Sequence, residues 1–508
     1  MYLSQVKIET WHNVTAITTN DYISMMSGRI FKYIAVIFLC QAAAAGAQEN
    51  GRNDDEDPLD QVVPVADEGP VEENPATDTG PATEELLAQE FARYKELVSA
   101  EVLDEAENVA KHIVELQIRI NGPMSTDSAK ALTNLAIIQH RTGQYVAAQQ
   151  NFQTAVDIIE DNEDRLNAAL VNPLRGLGAS QLEGGRPDLA ARTYVRAVHI
   201  THVNEGPHNM DQIRLLEALA ESNLRLGSSD EAKDIHDTIY ALNLRHFDSD
   251  QMGLIPALMR RGAWQHRAGY IVDERATYRR AIRIIESMTD KKDLALIDPL
   301  TRLGTSYFYV DLKGSQAQHS TLRSTGETYF RRALRIAESN PDSTWEIEVA
   351  ARLSLGDYYM HRAQYPRARR IYRDAWDTLS EDEERLDERR ESLEQVVLLK
   401  RDDLPRYAGA AAHDDGLDLN ESVQQGTIIV SFSVTNRGRV SNLKIVEANP
   451  VEFIEIQRFL RRELRSRLYR PRFEDGDPVA TADLTFTHTY FYRQSDLDAL
   501  RALPAADE

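Results

Sequence analysis

From Leu132 onward, apolar residues recur at helical spacing in paired segments separated by glycine-bearing turns. In Leu132–Ile159, Leu135 and Ala136 precede the turn Gly143-Gln144-Tyr145, and Ala148, Phe152 and Ala155 follow it. Spacings of three and four place these side chains on one helical face, so the unit predicts two helices packed along a shared stripe. The unit then repeats. Small residues at Ala136, Gly178, Ala220, Gly262, Gly304 and Gly356 are separated by 42 residues four times and by 52 once. Sixteen residues after the first four come Phe152, Tyr194, His236 and Tyr278. The fifth unit reaches its aromatic, Phe330, after twenty-six residues, which places ten extra residues near Lys313–Gly326; the sixth reaches Tyr372. Three residues beyond each of these stand Ala155, Ala197, Ile239, Ala281, Ala333 and Ala375. Small residues let two helices cross closely, and a large aromatic fills the gap between successive units. Gly185, Gly227 and Gly269 recur where a first helix must end in a tight turn. One helical pair cannot bury its apolar face alone, so the units must stack.

After Gly426 the period changes to two. Ile428, Val430, Phe432 and Val434 alternate with Ile429, Ser431 and Ser433, which predicts a strand with one face more apolar than the other. Asn436-Arg437-Gly438-Arg439 predicts a hairpin turn, and a second strand follows at Val440–Val446. Asn449-Pro450 ends it. Val451–Leu468 predicts an amphipathic helix through Phe453, Ile456, Phe459, Leu460 and Leu464. Tyr469–Phe473 then leads through Asp475-Gly476-Asp477 to a last strand, Val479–Phe491. Between the two patterns, the charged segment Ser380–Lys400 predicts a capping helix, because a terminal repeat needs a polar outer face. Pro405 and Ala408–Asp415 mark a linker. The predicted fold class is mostly α: an α-solenoid followed by a small α+β domain.

The first residues change the picture of compartment. Arg29 and Lys32 precede the apolar run Tyr33–Ala47, which closes on Ala45-Gly46-Ala47, small residues suited to cleavage before Gln48. The run is short for a spanning helix, which needs about 20 apolar residues. A signal peptide is expected, with an uncleaved anchor as the alternative and Met25 or Met26 as candidate starts. The only cysteine, Cys40, lies inside the run behind Leu39 and Phe38, a context unsuited to lipidation; the mature chain would carry no thiol. Between Gln48 and Glu85 there are 13 acidic residues and one base, Arg52, with no aromatic, which predicts a disordered spacer. The net charge of −23 argues against broad binding to nucleic acid or anionic membrane. The expected organisation is residues 1–47 as extension and signal peptide or anchor, 48–83 as spacer, 84–400 as solenoid with cap, 401–424 as linker, 425–493 as the C-terminal domain and 494–508 as tail.

Two resemblances follow from these residues. The repeated unit resembles the tetratricopeptide repeat, most closely through Leu355-Gly356, Tyr359, Ala368, Tyr372 and Ala375. The likeness runs from about Leu132 to Leu379, with a degenerate unit over Glu84–Ile120. Its 42-residue period resembles the longer-helix form of kinesin light chains; HEAT-like pairs are the runner-up. The C-terminal segment resembles the C-terminal domain of TonB. Its matching residues are Gly426-Thr427-Ile428-Ile429-Val430, Phe432-Ser433-Val434, Gly438-Arg439-Val440, the Tyr469–Phe473 box, Asp475-Gly476-Asp477-Pro478-Val479 and Thr485-Phe486-Thr487. That resemblance implies peptide recognition by strand addition, with the last strand, Thr481–Tyr492, as the expected edge. Its candidate positions are Thr481, Asp483, Thr485, Thr487 and Thr489. An edge covered by the tail from Gln494 is the alternative. The apolar run lacks the histidine that a TonB-type transducer implies, and an acidic, Pro-rich segment and a long solenoid stand where such a transducer has its spacer.

No catalytic or metal-binding constellation emerges. The 13 histidines include no HExxH pair, and His199 and His202 have no further ligand at metal spacing. Gly176-Leu177-Gly178 lacks the strand and third glycine of a dinucleotide fingerprint. There is no phosphate-binding loop or nucleophile elbow. No catalytic residue, metal or cofactor is assigned. In the tetratricopeptide register, late first-helix positions face an inner groove. His140, Arg141, Arg225, His266, Arg267, Phe308, Tyr309 and His361 are therefore candidates to clamp an extended peptide, with an ordinary polar inner face as the alternative. The arginines from Arg458 to Arg472 are expected on a solvated helix face or against an acidic partner. Expected partners are proteins or extended peptides, including a segment of an outer-membrane transporter, with no nucleic acid and with membrane only if the apolar run is retained. The leading expectation is a periplasmic, non-enzymatic scaffold. The alternatives are an inner-membrane-anchored TonB-family energy transducer and a regulator or chaperone of an envelope enzyme.

Overall fold

The computed structural model describes residues 81–247, 252–308, 326–400 and 423–502. The apolar run, the acidic spacer, Tyr309 and the inserted Lys313–Thr325 therefore lie outside the described residues, as does most of the linker. The described chain falls into two compact units that divide at Leu242/Asn243.

The first unit is a row of helical hairpins: α1 (Pro81–Ser99), α2 (Leu103–Asn121), α3 (Thr126–Arg141), α4 (Tyr145–Asn162), α5 (Val171–Glu183), α6 (Pro187–Glu205), α7 (Ile213–Arg225) and α8 (Ser229–His246), whose last turn lies beyond the boundary. Glycine ends the first helix of three hairpins. Gly143 takes φ +77°, and the Gln144 N–H donates back to Gln139 O at 2.8 Å. Gly185 and Gly227 repeat that geometry at +79° and +81°. An L-residue resists this left-handed conformation, so glycine at this turn reads directly as a helix stop. The small residues at mid-helix have a different role. A Cβ on Gly178 would lie 2.8 Å from the Tyr194 ring, and one on Gly176 would lie 2.2 Å from Phe152. Tyr194 thus packs on glycine backbone within its own hairpin, and Phe152 closes the gap to the next one. The degenerate unit is a true hairpin. Tyr94, 1% exposed, packs with Val109, Ile113, Leu135 and Ile138.

The second unit continues with α9 (Ile255–Arg267), α10 (Ile271–Met288), α11 (Ile297–Thr305), α12 (Glu327–Ser339), α13 (Trp345–His361) and α14 (Tyr365–Ser380). Gly262, Gly304 and Gly356 meet the rings of Tyr278, Phe330 and Tyr372 as in the first unit. The capping helix expected over Ser380–Lys400 is replaced by shorter elements. A short α15 (Leu386–Ser392) is followed by the strand β1 (Val397–Lys400). The run Val396–Leu399 is as apolar and β-prone as a strand, and pairing with a distant partner outweighs the helical preference of its charged neighbours.

That partner belongs to the C-terminal domain: β2 (Val423–Val434), β3 (Val440–Asn449), α16 (Ile454–Ser466), β4 (Leu468–Arg470), β5 (Arg472–Glu474), β6 (Asp477–Val479), β7 (Thr481–Arg493) and α17 (Gln494–Ala502). β1 pairs antiparallel with β4, with Val397 opposite Arg470. The main sheet has the order β3-β2-β7, antiparallel throughout. Ile428, Val430, Phe432 and Val434 on β2 are buried, and Ile456, Leu460 and Leu464 of α16 pack on that face. The hairpin β5–β6 turns at Asp475 and Gly476, both with positive φ, which suits a two-residue turn. The expected last strand, Val479–Phe491, is β7 over nearly all of its length, and only Val479 belongs to the short β6 before it. The tail also folds: Leu497 of α17 is 3% exposed and completes the core around Phe453 and Tyr492.

Candidate functional site

The C-terminal domain is built onto the sixth hairpin. Arg470 is 6% exposed. Its Nε and Nη2 donate to the two carboxylate oxygens of Asp357 at 3.0 and 2.8 Å, and its Nη1 donates to Ser392 O at 2.7 Å. Asp357 also accepts from the Tyr372 hydroxyl at 2.7 Å. Burial disfavours the Arg470 charge, but the Asp357 carboxylate beside it outweighs this and holds its pKa above the usual arginine value. Burial, and then the charge of Asp357, push the Tyr372 hydroxyl well above its usual range. Around this pair, Phe473 is 1% exposed and meets Tyr372 edge-on at 5.3 Å, and its N–H donates to Leu393 O. The hairpin glycine Gly438 is equally confined: a Cβ there would sit 1.9 Å from Tyr469 O and 3.0 Å from Met360. The Tyr469–Phe473 box therefore joins the domain to the solenoid. The expectation that the arginines from Arg458 to Arg472 form a solvated face holds for Arg458 and Arg462, and fails at Arg467 and Arg470, which are buried.

An exposed pair supplements this joint. Arg369 donates to Asp477 at 2.7 Å, and Arg373 reaches the same oxygen. The Arg369 hydrogen bond is the chief cause of the low pKa of Asp477. Solvent screens such a contact, so Asp477→Ala should lower the thermal midpoint only slightly, and high salt should erase the difference from wild type.

Most groove candidates are engaged with neighbouring hairpins. Arg141 makes two 2.9 Å hydrogen bonds to Glu101, and His140 Nδ1 lies 3.0 Å from Ser180 Oγ. Arg225, with a side chain 6% exposed, contacts Glu183 at 2.8 Å, Glu221 at 3.1 Å and Leu182 O at 3.1 Å. Burial works against its charge, yet Glu183 and Glu221 hold its pKa above normal. These three residues link hairpins about 40 positions apart. Arg225→Ala should cost about 2–3 kcal/mol in urea unfolding, because it removes charged hydrogen bonds and leaves two carboxylates facing each other. His266 lies 3.1 Å from both oxygens of Glu274, which is itself 2% exposed. Phe308 stacks on His361 at 4.2 Å and on Phe330 at 5.6 Å. Arg267 is half-buried. The structure thus brings Phe308 and His361 together and distributes the other candidates along the repeats.

The strand positions lie on one edge of the sheet. β7 pairs with β2 from Val423↔Arg493 to Val434↔Thr481, and among the described residues no strand pairs along its other side. Asp483, Thr485, Thr487 and Thr489 are exposed, while His488 and Tyr490 are buried beneath. Asp483 takes φ +55°, where the ladder shifts register. The tail from Gln494 turns into α17 and packs on the core, so it adds no strand to this edge. Among the described residues, no three potential ligands are placed to hold a metal ion, and no helix is long and apolar enough to cross a membrane.

A tetratricopeptide repeat family model matches residues 127–201, which span the hairpins α3–α4 and α5–α6. No curated protein matches the chain. Among solved structures, it is similar to a kinesin light chain with nearly identical TPR-like repeats from Podosopora anserina. That alignment has 13% identity and a TM-score of 0.36, and covers 43% of this chain and 99% of the other. It is also similar to the C-terminal part of a TPR repeat-containing protein from Cytophaga hutchinsonii, at 10% identity and TM-score 0.34, covering 58% and 98%. A third is the apo quorum sensor NprR of B. thuringiensis, at 9% identity and TM-score 0.32, covering 58% and 87%. With scores this low, the repeat assignment rests on the hairpins, their glycine–aromatic packing and the family model. The chain is a mostly helical protein with tetratricopeptide-like repeats and a C-terminal region of several β-strands.

Proposed function

We propose that this protein is an exported, periplasmic interaction scaffold that acts by binding rather than by catalysis. The solenoid, with its kinesin-light-chain-like period, holds one partner. The C-terminal domain, of TonB C-terminal type, takes up an extended segment of another by strand addition. The observation that carries this reading is β7, a 13-residue strand whose outer side has no strand partner among the described residues. Main-chain hydrogen bonds supply the affinity in such an arrangement, and the exposed threonines keep the edge soluble without blocking it. A transporter segment from the outer membrane is one partner of this kind. The joint at Arg470 supports the scaffold reading over a free-swinging rod, since a buried ion pair fixes the domain on its last hairpin. Compartment is tested by mass spectrometry of the N-terminus from fractionated cells. The expected result is a chain beginning at Gln48 in the soluble periplasm; an intact Tyr33–Ala47 run in the inner membrane would overturn export in soluble form.

A further inference from the structure

Beside the open strand lies a buried arginine that has no counter-ion among the described residues. Arg467 follows the last turn of α16 and is 3% exposed. Its Nε has no acceptor, and among the described residues its guanidinium makes no hydrogen bond or ion pair. That group lies over the face of Phe486, 4.6 Å from the ring centre. Three other arginines of the domain have carboxylate partners: Arg470 has Asp357, Arg472 has Glu474, and Arg501 has Glu452. Burying the Nε of a guanidinium without an acceptor is costly, and a cation–π contact offsets only part of that cost. Phe486 belongs to β7 and lies opposite Val430 of the central strand, so Arg467 sits on the covered face of the edge strand itself. Thr481 Oγ1, at the start of the same strand, is also buried without a partner among the described residues.

A strand laid along β7 would direct alternate side chains toward that covered face, one of them beside Phe486. The planar guanidinium is suited to receive a carboxylate there through two parallel hydrogen bonds. We infer that the segment added to β7 carries an aspartate or glutamate on its inward face, paired with Arg467. The partner is thus an acidic extended peptide, not any extended peptide. This inference rests on the strand-addition reading, and the two can fail separately.

The test uses the full purified chain and three fluorescein-labelled decapeptides of alternating valine and threonine, with Glu, Gln or Lys at one central position, read by fluorescence anisotropy. The Glu peptide is expected to bind roughly ten-fold more tightly than the Gln peptide, with the Lys peptide weakest. Arg467→Gln should bind the Glu and Gln peptides alike. The comparison among peptides needs no variant, so it stands even if Arg467→Gln fails to fold. Equal binding of Glu and Gln peptides to the wild-type chain overturns the acid pairing while leaving strand addition in place. No binding of any peptide overturns both.

Discussion

Asp357→Ala should destabilise the second unit by about 3–5 kcal/mol, because it leaves the Arg470 guanidinium buried without its counter-charge. The side chain of Arg470 is 8% exposed and that of Asp357 is 22% exposed, so water reaches the pair poorly. Tyr372 loses the acceptor for its hydroxyl in the same change. Urea unfolding followed by circular dichroism reads the loss as an earlier transition for the C-terminal half. Asp357→Ala combined with Arg470→Met should recover much of it, since removing both charges avoids the orphan that either single change creates. A double variant as unstable as Asp357→Ala alone would show that the joint depends on Asp357 through something other than this pair.

Tyr278→Ala is the second large effect, at about 3–5 kcal/mol, as expected for deleting a fully buried aromatic ring. Tyr278 is 1% exposed and packs on Gly262, where a Cβ would stand 2.4 Å from the ring. Burial also pushes its hydroxyl pKa upward. Gly262→Val should itself destabilise by about 1–3 kcal/mol through overpacking. In the Tyr278→Ala background the same valine should cost much less, because it enters the space the ring has left. A double-mutant cycle on thermal unfolding measures that coupling. Simple additivity would mean that ring and glycine do not form a single packing device.

The repeats were legible in the sequence because one period controls everything within them. The glycine that must adopt positive φ, the small residue under a ring and the ring itself recur in a fixed register, and each is forced by local geometry. The strand pattern of β2 and its turn at Gly438 were legible for the same reason: alternation and turn chemistry are local signals. The joint at Arg470 was not legible. Asp357 lies 113 residues before Arg470, and Asp357 looks like any polar position beside the repeat glycine. Arg470 itself reads as one arginine in a basic run. Burial, supplied by Phe473, Tyr372 and Ser392 together, separates it from Arg458 and Arg462. The same non-local pairing turned the end of the expected capping helix into β1. In the groove register, residue type was visible but engagement was not, since Arg141 and Arg225 find carboxylates one hairpin away. Nor does the sequence mark Arg467 as unpaired; only its surroundings do. These contacts also bear on experiment. A fragment limited to Gly426–Tyr492 lacks both Leu497 and the Asp357 carboxylate, so the full chain is the proper object for binding work.

The most direct test of the central claim is site-specific photo-cross-linking in intact cells, with a photoreactive residue in place of Thr487 on β7 and, as a control, in place of the exposed Arg458 on α16. Strand addition predicts a discrete adduct from position 487 that is absent from position 458, with the cross-link mapping to an extended segment of the partner. Adducts of the same pattern from both positions, or none from position 487, would contradict it.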